Sequence, residues 1–281
     1  VRKKLPKVLM LSGPKGSGKS TLVNHLLFSI FEKNGYDKEN QQLQANSNFY
    51  NQFRNGIFSS TIYLKGEDFK SIKIDDIRSL KSKIFKSTIL NKERFIILDD
   101  VELFSINSLN ALLKIIEEPD NNNFILINNN SKPIIDTIKS RALEIKIILK
   151  ESDRLNIIQK LISLYNLDEV LDRKNSELTP GNFLKFNYIC KEYKINPTIN
   201  LVDNFSTLLS LFKKNKDFDL MNIIFYVTDQ YFKNLKNRNI VENEKVFELR
   251  NYVLKNLNYF LLYNINQNTL INQLASKFNR G

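Results

Sequence analysis

Apolar residues follow two alternating patterns over the first 150 positions. Short, mainly apolar runs occur at Val8–Leu11, Thr61–Leu64, Phe95–Leu98, Phe124–Ile127 and Leu143–Ile147. Runs of four or five such residues are typical of strands, because a buried helix needs a longer segment. Between the runs, apolar residues recur at helical spacing, so we predict helices after the first run, from residue 73 and over residues 108–119. This alternation predicts an α/β domain with a parallel sheet.

The rest of the chain is organised differently. Residues 36–60 are polar and rich in Asn and Gln, which predicts a surface loop or a short helix. Residues 148–196 carry apolar residues at helical spacing. Residues 197–281 contain no strand-like run, and we interpret their apolar positions as helical core stripes, one of them formed by Phe247, Leu249, Val253 and Leu257. We therefore predict an all-helical C-terminal part.

The segment Gly13–Ser20 has the spacing G-x-x-x-x-G-K-[ST] of a phosphate-binding P-loop, and it lies between a predicted strand and a predicted helix. Glycines leave room for phosphate oxygens, and N–H groups at the start of the helix face the anion. In such a loop the lysine, here Lys19, reaches the β- and γ-phosphates, and the next hydroxyl, here Ser20, holds Mg²⁺. The alternative is a Gly- and Lys-rich turn that binds nothing. The nucleotide-binding candidates are Gly13, Pro14, Lys15, Gly16, Ser17, Gly18, Lys19, Ser20 and Thr21.

Two carboxylates follow the apolar run Phe95–Leu98. Asp99 and Asp100 are expected at the carboxyl end of a central strand, the sheet edge at which parallel α/β folds bind ligands. Asp99 is therefore the candidate second metal ligand, opposite Ser20. Asp100 is the candidate catalytic residue that orients an attacking water, although its side chain is one methylene shorter than glutamate. The alternative is a solvated Asp-Asp turn after a strand.

Composition and charge narrow the function classes. The chain has 42 Lys and Arg against 30 Asp and Glu, a net charge of +12, which permits binding to nucleic acid. An AT-rich genome would produce the same bias, and no long Lys/Arg block marks a basic tail. A single cysteine, Cys190, and a single histidine, His25, exclude an intrachain disulfide and make a zinc site unexpected. No apolar run has the length of a membrane span and no stretch has the layout of a secretory signal, so we expect a cytoplasmic protein.

Three motifs between residues 95 and 147 have a specific order and spacing. They are Leu98-Asp99-Asp100, then Asn110-Ala111-Leu112-Leu113-Lys114 with Glu117-Glu118-Pro119, and then Thr137-Ile138-Lys139-Ser140-Arg141. With Ile72–Arg78 ahead of them, they resemble the ATPase domain of bacterial DNA polymerase III clamp loaders, a branch of the AAA+ family. The resemblance implies a P-loop AAA+ domain over residues 1–147, a small helical lid over 148–196 and a helical collar domain over 197–281.

The resemblance also implies roles, cofactors and partners. Arg141 matches the family's arginine finger, which would reach the ATP site of a neighbouring subunit; the alternative is a surface arginine that caps a helix end. Asn129 matches the position that senses the γ-phosphate, and its neighbours Asn128 and Asn130 leave the register open by one residue. The implied cofactors are ATP or ADP with Mg²⁺, without zinc. The implied partners are other clamp-loader subunits in a hetero-oligomer, with the sliding clamp and primer–template DNA bound through the complex, and no membrane.

Asp100 stands where the family's ATP-driving subunits usually carry glutamate. The chain departs from the family pattern at two places. Clamp-loader lids often carry a nucleotide-contacting arginine near a Pro-Gly turn, and here the segment Thr179–Lys185 has Asn182 in that place, with Lys185 one helical turn further on. Many bacterial relatives also carry a cysteine-ligated zinc module after the P-loop helix, but this chain has no cysteine there.

These departures lead us to expect a subunit that binds ATP, supplies Arg141 to a neighbour, and hydrolyses its own nucleotide weakly or not at all. A first alternative is an ATP-hydrolysing subunit of the gamma/tau type, which the intact Lys19, Ser20 and Asp99 permit. A second is a solitary P-loop phosphotransferase. A third is a scaffold whose P-loop stays empty.

Overall fold

The chain divides into two compact units. The structure, a computed structural model, describes residues 5–32, 34–40, 42–43, 47–66, 72–85, 93–118, 122–215, 217, 219–238 and 242–279. The first unit comprises Val1–Arg154 with Thr179–Gly181, and the second comprises Leu155–Leu178 with Asn182–Gly281. The three-part division at residues 147 and 196 stays a prediction.

A five-stranded parallel sheet forms the centre of the first unit, as the alternating pattern predicts. Its strands lie in the order β4-β5-β6-β1-β7, and every pairing between neighbours is parallel. Their bounds are β1 (Val8–Ser12), β4 (Thr61–Lys65), β5 (Arg94–Asp99), β6 (Asn122–Asn128) and β7 (Leu143–Lys146). Two further strands, β2 (Tyr36–Asp37) and β3 (Gln42–Leu43), form a separate antiparallel pair.

Helices cover both faces of the sheet. Side chains alternate between the two faces along each strand, so the apolar strands present side chains that need covering on both faces. Their bounds are α1 (Lys19–Phe31), α2 (Asn48–Arg54), α3 (Ile74–Phe85), α4 (Ile106–Glu117) and α5 (Asp136–Lys139). On one face, Leu11 and Ile97 pack in a core with Leu27 of α1. On the other face, Met10 and Leu98 share a core with residues of α3 and α4. Pro119, which marked the predicted end of α4, lies outside the described residues.

The prediction for residues 36–60 is right about the short helix and incomplete about its surroundings. Helix α2 places Phe49 in the interior, against rings from several neighbouring elements. The ring pairs of this aromatic cluster lie 4.8–6.0 Å apart between centroids and join Phe28, Phe31, Phe49, Phe53, Phe58 and Phe95. Polar Asn and Gln dominate the sequence here, so the widely spaced phenylalanines that form this cluster gave no periodic signal.

The described part of the second unit is helical. It contains the remainder of α6 (Glu151–Tyr165) and α7 (Pro180–Glu192), and all of α8 (Leu201–Asn215), α9 (Asp219–Asn237), α10 (Asn243–Tyr263) and α11 (Gln267–Asn279). One hydrophobic core runs from Ile158 of α6 to Leu274 of α11.

One position of the predicted α10 stripe is wrong. Leu249, Val253 and Leu257 are buried as expected, but Phe247 is 62% exposed. The reason is helical geometry, because two residues span about 200° around a helix and Phe247 therefore lies opposite Leu249. The buried positions of the stripe are spaced by four residues, the interval that returns to the same face.

Candidate functional site

The carboxyl ends of β1, β5 and β6 bring together the segments that the motifs single out. Gly13 directly follows β1, and its N–H donates to the carbonyl of Asn128 at the end of β6, at 3.1 Å. A Cβ at Gly13 would lie 2.5 Å from the carbonyl oxygen of Ile147, which follows β7, so only glycine fits at this position. This close approach places the start of the P-loop at the sheet edge where β5 delivers Asp99.

The P-loop has the backbone geometry that its glycines predict. Gly16 has φ 83° and Gly18 has φ 92°, both in the left-handed region that favours glycine. Gly18 is the N-cap of α1, and no side chain caps this helix end. No acidic residue lies in the first turn either. The positive end of the α1 dipole is therefore open to an external anion.

Lys19 is buried at the base of this loop, with 3% of its surface exposed. Its Nζ donates hydrogen bonds to the carbonyl oxygens of Gly13, at 2.7 Å, and Pro14, at 2.8 Å. Burial lowers the pKa of Lys19, while the nearby carboxylates of Glu102, Asp99 and Asp100 act in the opposite direction. The lysine thus uses backbone carbonyls as partners, which phosphate oxygens can replace. Ser20 and Thr21 follow in the first turn of α1 with exposed side chains.

Both carboxylate oxygens of Asp99 already accept hydrogen bonds. Oδ1 accepts from the backbone N–H of Asp100 at 3.0 Å. Oδ2 accepts from the hydroxyl of Tyr63, on the adjacent strand β4. Asp99 is buried, so these donors fix the orientation of a carboxylate that water reaches poorly.

Asp100 lies just beyond β5 in a left-handed conformation, with φ 53°. Its side chain is buried, and Oδ1 accepts a hydrogen bond from the side-chain amide of Asn129. Burial and the charge of Asp99 raise the pKa of Asp100 to about 6, although Lys15 and Lys65 oppose the shift. A carboxyl in this environment is a weaker negative charge near neutral pH than an exposed aspartate.

The structure distinguishes the three consecutive asparagines. Asn129 is the one whose side chain contacts Asp100. Asn128 ends β6 and is buried, and its amide donates to Ser12 Oγ at 3.3 Å. Asn130 is exposed, and its backbone N–H donates to Asn128 Oδ1 at 2.9 Å. The register that the resemblance implies therefore brings an amide to the acidic pair.

Glu102 belongs to this site, although the motifs do not include it. It lies in a 3-10 turn, Val101–Leu103, and is 6% exposed. Its Oε1 accepts from the N–H of Asn129 at 3.1 Å and from Ser131 Oγ at 2.9 Å. Its Oε2 is buried without a hydrogen-bond partner among the described residues. The only sequence feature that pointed to Glu102 as part of this site was its position two residues after Asp100.

Arg141 does not lie in this cluster. It is exposed just after α5 and forms an ion pair with Glu117, 2.7 Å from Nη2 to Oε1. Its Nη1 donates to the carbonyl of Thr137 at 3.1 Å. The guanidinium thus lies on the surface of the first unit, held by residues of α4 and α5.

The segment Thr179–Gly181, at the start of α7, packs on the P-loop within the first unit. Thr179 Oγ1 donates to the carbonyl of Lys15 at 2.7 Å, and Gly181 N–H donates to the carbonyl of Gly16 at 2.9 Å. A Cβ at Gly181 would lie 2.9 Å from Gly16 Cα, so the glycine permits the contact. The sequence analysis noted this segment because an arginine is missing near it. Nothing in the sequence indicated that the segment contacts the P-loop.

Lys185 has partners elsewhere. It forms ion pairs with Asp219 and with Asp217, the latter at 3.5 Å, all within the second unit. Asn182 lies in the same unit. An ion-paired lysine is a poor replacement for a nucleotide-contacting arginine, because its charge is already engaged.

The donor set suits a magnesium ion that is held together with a nucleotide. Among the described residues, no group of three or more His, Cys, Asp or Glu side chains is arranged to hold a metal ion by itself. Mg²⁺ is commonly bound through one or two protein oxygens together with substrate phosphates and water. The hydroxyl of Ser20 and the carboxylate of Asp99 are such oxygens, so the residues present fit this ion.

The sheet order, the loop between β1 and α1, and the helical second unit define the fold of an AAA+ subunit. Residues 1–150, more than half of the 281, match the family model described as "DNA polymerase III, delta subunit", and the chain belongs to this family. The predicted clamp-loader family is thereby confirmed.

Individual relatives agree with this family. The chain is 27% identical over 198 residues to DNA polymerase III subunit delta' of Buchnera aphidicola from Schizaphis graminum, covering 67% of this chain and 60% of the relative. It is 27% identical over 161 residues to DNA polymerase III subunit gamma of Buchnera aphidicola from Acyrthosiphon pisum, covering 57% and 43%. The chain therefore spans about three fifths of the delta' relative and about two fifths of the gamma relative.

A solved structure has the same fold. It is a DNA polymerase III gamma subunit-related protein from Thermotoga maritima, with a TM-score of 0.52 and 19% identity, covering 97% of this chain and 94% of that chain.

Among the described helices, none combines the length and apolar character that crossing a membrane requires.

Proposed function

We propose that this chain is a clamp-loader subunit of the delta-prime type that binds ATP with Mg²⁺ at its own P-loop. It assembles with related subunits, and the complex uses ATP to load a sliding clamp on primed DNA. The observation that carries the proposal is the burial of Lys19 between the carbonyls of Gly13 and Pro14, close to Asp99. A buried lysine at an uncapped helix N-terminus suits a phosphate better than it suits packing.

Nucleotide binding would rearrange few bonds. Lys19 exchanges its two carbonyl partners for phosphate oxygens, and the N–H groups at the start of α1 face the same phosphates. Ser20 and Asp99 would hold Mg²⁺, and the ion would neutralise part of the phosphate charge. Asn129 would exchange its present bond to Asp100 for one to the terminal phosphate, and that existing bond supports this role.

Weak hydrolysis is supported by the state of Asp100. Its carboxylate is one methylene shorter than glutamate, bonded to Asn129, and more easily protonated than an exposed aspartate. The short reach and the bond to Asn129 reduce its ability to orient water. A pKa of about 6 does not weaken the carboxyl as a base, because it still leaves the group mainly ionised at neutral pH. Arg141, exposed and away from the chain's own acidic cluster, is available to a neighbouring subunit once its pair with Glu117 opens.

A second candidate is an ATP-hydrolysing subunit of the gamma type. The gamma relative is as similar in sequence as the delta' relative, 27% in each case, and the chain keeps Lys19, Ser20 and Asp99. A solitary phosphotransferase is disfavoured by family membership. ATP turnover at the P-loop of this chain, measured in the assembled complex, separates the two subunit types. If the chain is of the gamma type, Lys19→Ala should remove most of that turnover; if it is of the delta-prime type, there is little turnover at this P-loop to lose.

Nucleotide binding is tested by titrating the full chain with a fluorescent ATP analogue in the presence of Mg²⁺. Lys19→Ala is expected to weaken binding at least a hundredfold, because it removes a charge-assisted contact from a dry site. Lys139→Ala is the matched control, since Lys139 is an exposed lysine that pairs with Asp136 on the same short helix. Equal affinities for the wild type and Lys19→Ala would contradict the proposal.

Assembly is tested by native mass spectrometry of the chain co-expressed with the clamp-loader chains of its source. A defined hetero-oligomer that contains this chain is the expected result. A persistent monomer that still binds nucleotide would favour a solitary P-loop protein.

A further inference from the structure

The hydroxyl of Tyr63 is a polar group that the P-loop, the acidic pair and the asparagine do not account for. It donates a hydrogen bond to Oδ2 of Asp99. Tyr63 is 54% exposed overall, so burial in the core does not explain its position. We propose that Tyr63 is a positioning residue, which fixes the carboxylate of Asp99 in the orientation that holds Mg²⁺.

Strand geometry makes this contact specific to a long side chain. In the parallel pair β4–β5, Tyr63 lies opposite Ile97 and Lys65 lies opposite Asp99. Residues two apart on a strand point to the same face, so Tyr63 and Asp99 are diagonal neighbours on one face of the sheet. Neighbouring strands lie about 4.8 Å apart and two residues rise about 6.6 Å along a strand, so these neighbours are about 8 Å apart. An aromatic side chain spans this distance and a short hydroxyl side chain does not.

The hydrogen bonds of Asp99 leave room for a metal. Each of its oxygens accepts one donor, the N–H of Asp100 at Oδ1 and the phenol of Tyr63 at Oδ2. A carboxylate oxygen has two lone pairs, so each oxygen keeps one for a metal ion or a metal-bound water. Hydrogen bonds of this kind orient metal-binding carboxylates, and their removal costs roughly 10–100-fold in metal affinity.

The phenol stays a donor under ordinary conditions. A tyrosine hydroxyl has an ordinary pKa of about 10, so it carries its proton at neutral pH and can donate to the carboxylate of Asp99. Lys65 lies opposite Asp99 in the strand pairing and acts on Asp100 through its charge, whereas Tyr63 donates a hydrogen bond to Asp99 itself.

The inference rests on the proposed nucleotide site, because it gives Tyr63 a role only where Asp99 holds Mg²⁺. The test is Tyr63→Phe in the full chain, titrated with Mg²⁺ at a fixed concentration of the fluorescent ATP analogue. We expect the Mg²⁺ concentration for half-maximal binding to rise at least about tenfold. Affinity for the analogue in EDTA should stay unchanged, which a general loss of structure would not allow.

Two further variants complete the design. Tyr36→Phe is the matched control, since its hydroxyl lies 2.9 Å from His25 Nδ1 and has no link to Asp99. Tyr63→Thr keeps a hydroxyl that is too short to bridge the strands, and it should give the same shift as Tyr63→Phe. An unchanged or lower Mg²⁺ requirement in Tyr63→Phe, or equal losses with and without Mg²⁺, would overturn the inference alone. A wild-type chain that does not bind the analogue would remove the proposed function and this inference with it.

Discussion

Asn129 holds two acidic side chains at once. Its amide donates to Oδ1 of Asp100, and its backbone N–H donates to Oε1 of Glu102 at 3.1 Å. The loop after β6 is thereby tied to the turn after β5, so a ligand that draws Asn129 away also releases Asp100. Through this link, a terminal phosphate that binds Asn129 would change the hydrogen bonds of both Asp100 and Glu102.

Asn129→Ala should therefore distinguish ATP from ADP. We expect affinity for ATP to fall about tenfold, since a hydrogen bond to a charged group contributes about 1.5–3 kcal/mol, and affinity for ADP to change less. Equilibrium titration with both nucleotides measures this ratio. Asn130→Gly is the control, because Asn130 is exposed and its φ of 59° suits glycine. Equal losses for ATP and ADP would speak against a sensing role.

Glu102→Ala should destabilise the first unit. The substitution leaves the N–H of Asn129 and the hydroxyl of Ser131 without their acceptor, which costs about 1–3 kcal/mol of unfolding free energy. Glu102→Gln keeps a carbonyl acceptor and should lose less. Urea denaturation followed by circular dichroism gives both values. An alanine variant as stable as the wild type would mean that water satisfies these donors.

Gly181→Ala should disturb the contact between the segment Thr179–Gly181 and the P-loop. The new Cβ would lie 2.9 Å from Gly16 Cα and 3.0 Å from its carbonyl oxygen, both rigid backbone atoms. We expect a loss of about 1–3 kcal/mol, measured by thermal unfolding. Gly35→Ala is the control, since its nearest neighbour is the flexible side chain of Glu32, at 3.0 Å. Similar losses in both variants would point to a general intolerance of alanine.

Arg141→Ala should separate binding from hydrolysis. Arg141 contacts no P-loop residue in its own chain, so nucleotide affinity of the isolated chain should stay unchanged. In the assembled complex, turnover at the site that it serves should fall about 10³-fold. The control is Glu117→Ala, which breaks only an exposed ion pair worth about 0–1 kcal/mol. Unaltered turnover in the complex would return Arg141 to the role of a surface residue.

Cys190 should react slowly with thiol reagents in the native protein. It is buried in the core of the second unit, and burial raises the pKa of its thiol to about 12. At pH 8 the group is therefore protonated as well as inaccessible, and both properties suppress attack on a disulfide reagent. Labelling with and without urea measures the difference, which should exceed a hundredfold. Fast labelling in buffer would indicate that this core opens readily.

The sequence predicted the elements whose signals are local. Gly13, Gly16 and Lys19 have a fixed spacing, so the P-loop and its strand–helix setting follow from a single stretch of chain. The runs that became β5 and β6 are continuous and apolar because both faces of a parallel sheet are buried. The apolar run ends before Asp99, so the sequence correctly predicted that Asp99 lies at the end of β5.

Contacts that depend on tertiary packing were not predictable. Tyr63 and Asp99 are 36 positions apart, and their bond depends on which strands are neighbours. The role of Glu102 depends on its hydrogen bond from the backbone N–H of Asn129, and nothing in the sequence near Glu102 indicates that contact. The position of Phe247 was mispredicted for a simpler reason, since its spacing from Leu249 contradicts a common helix face.

The aromatic cluster under α2 has a thermodynamic consequence. Phe49 and its neighbours order residues 48–58 by burying hydrocarbon, with no metal–thiolate bonds available to that segment. Order of this kind carries a large heat capacity of unfolding and weakens on cooling, whereas metal coordination responds to chelators and oxidants. Local order in this part of the clamp-loader subunit should thus respond to temperature and be indifferent to cellular zinc and redox supply.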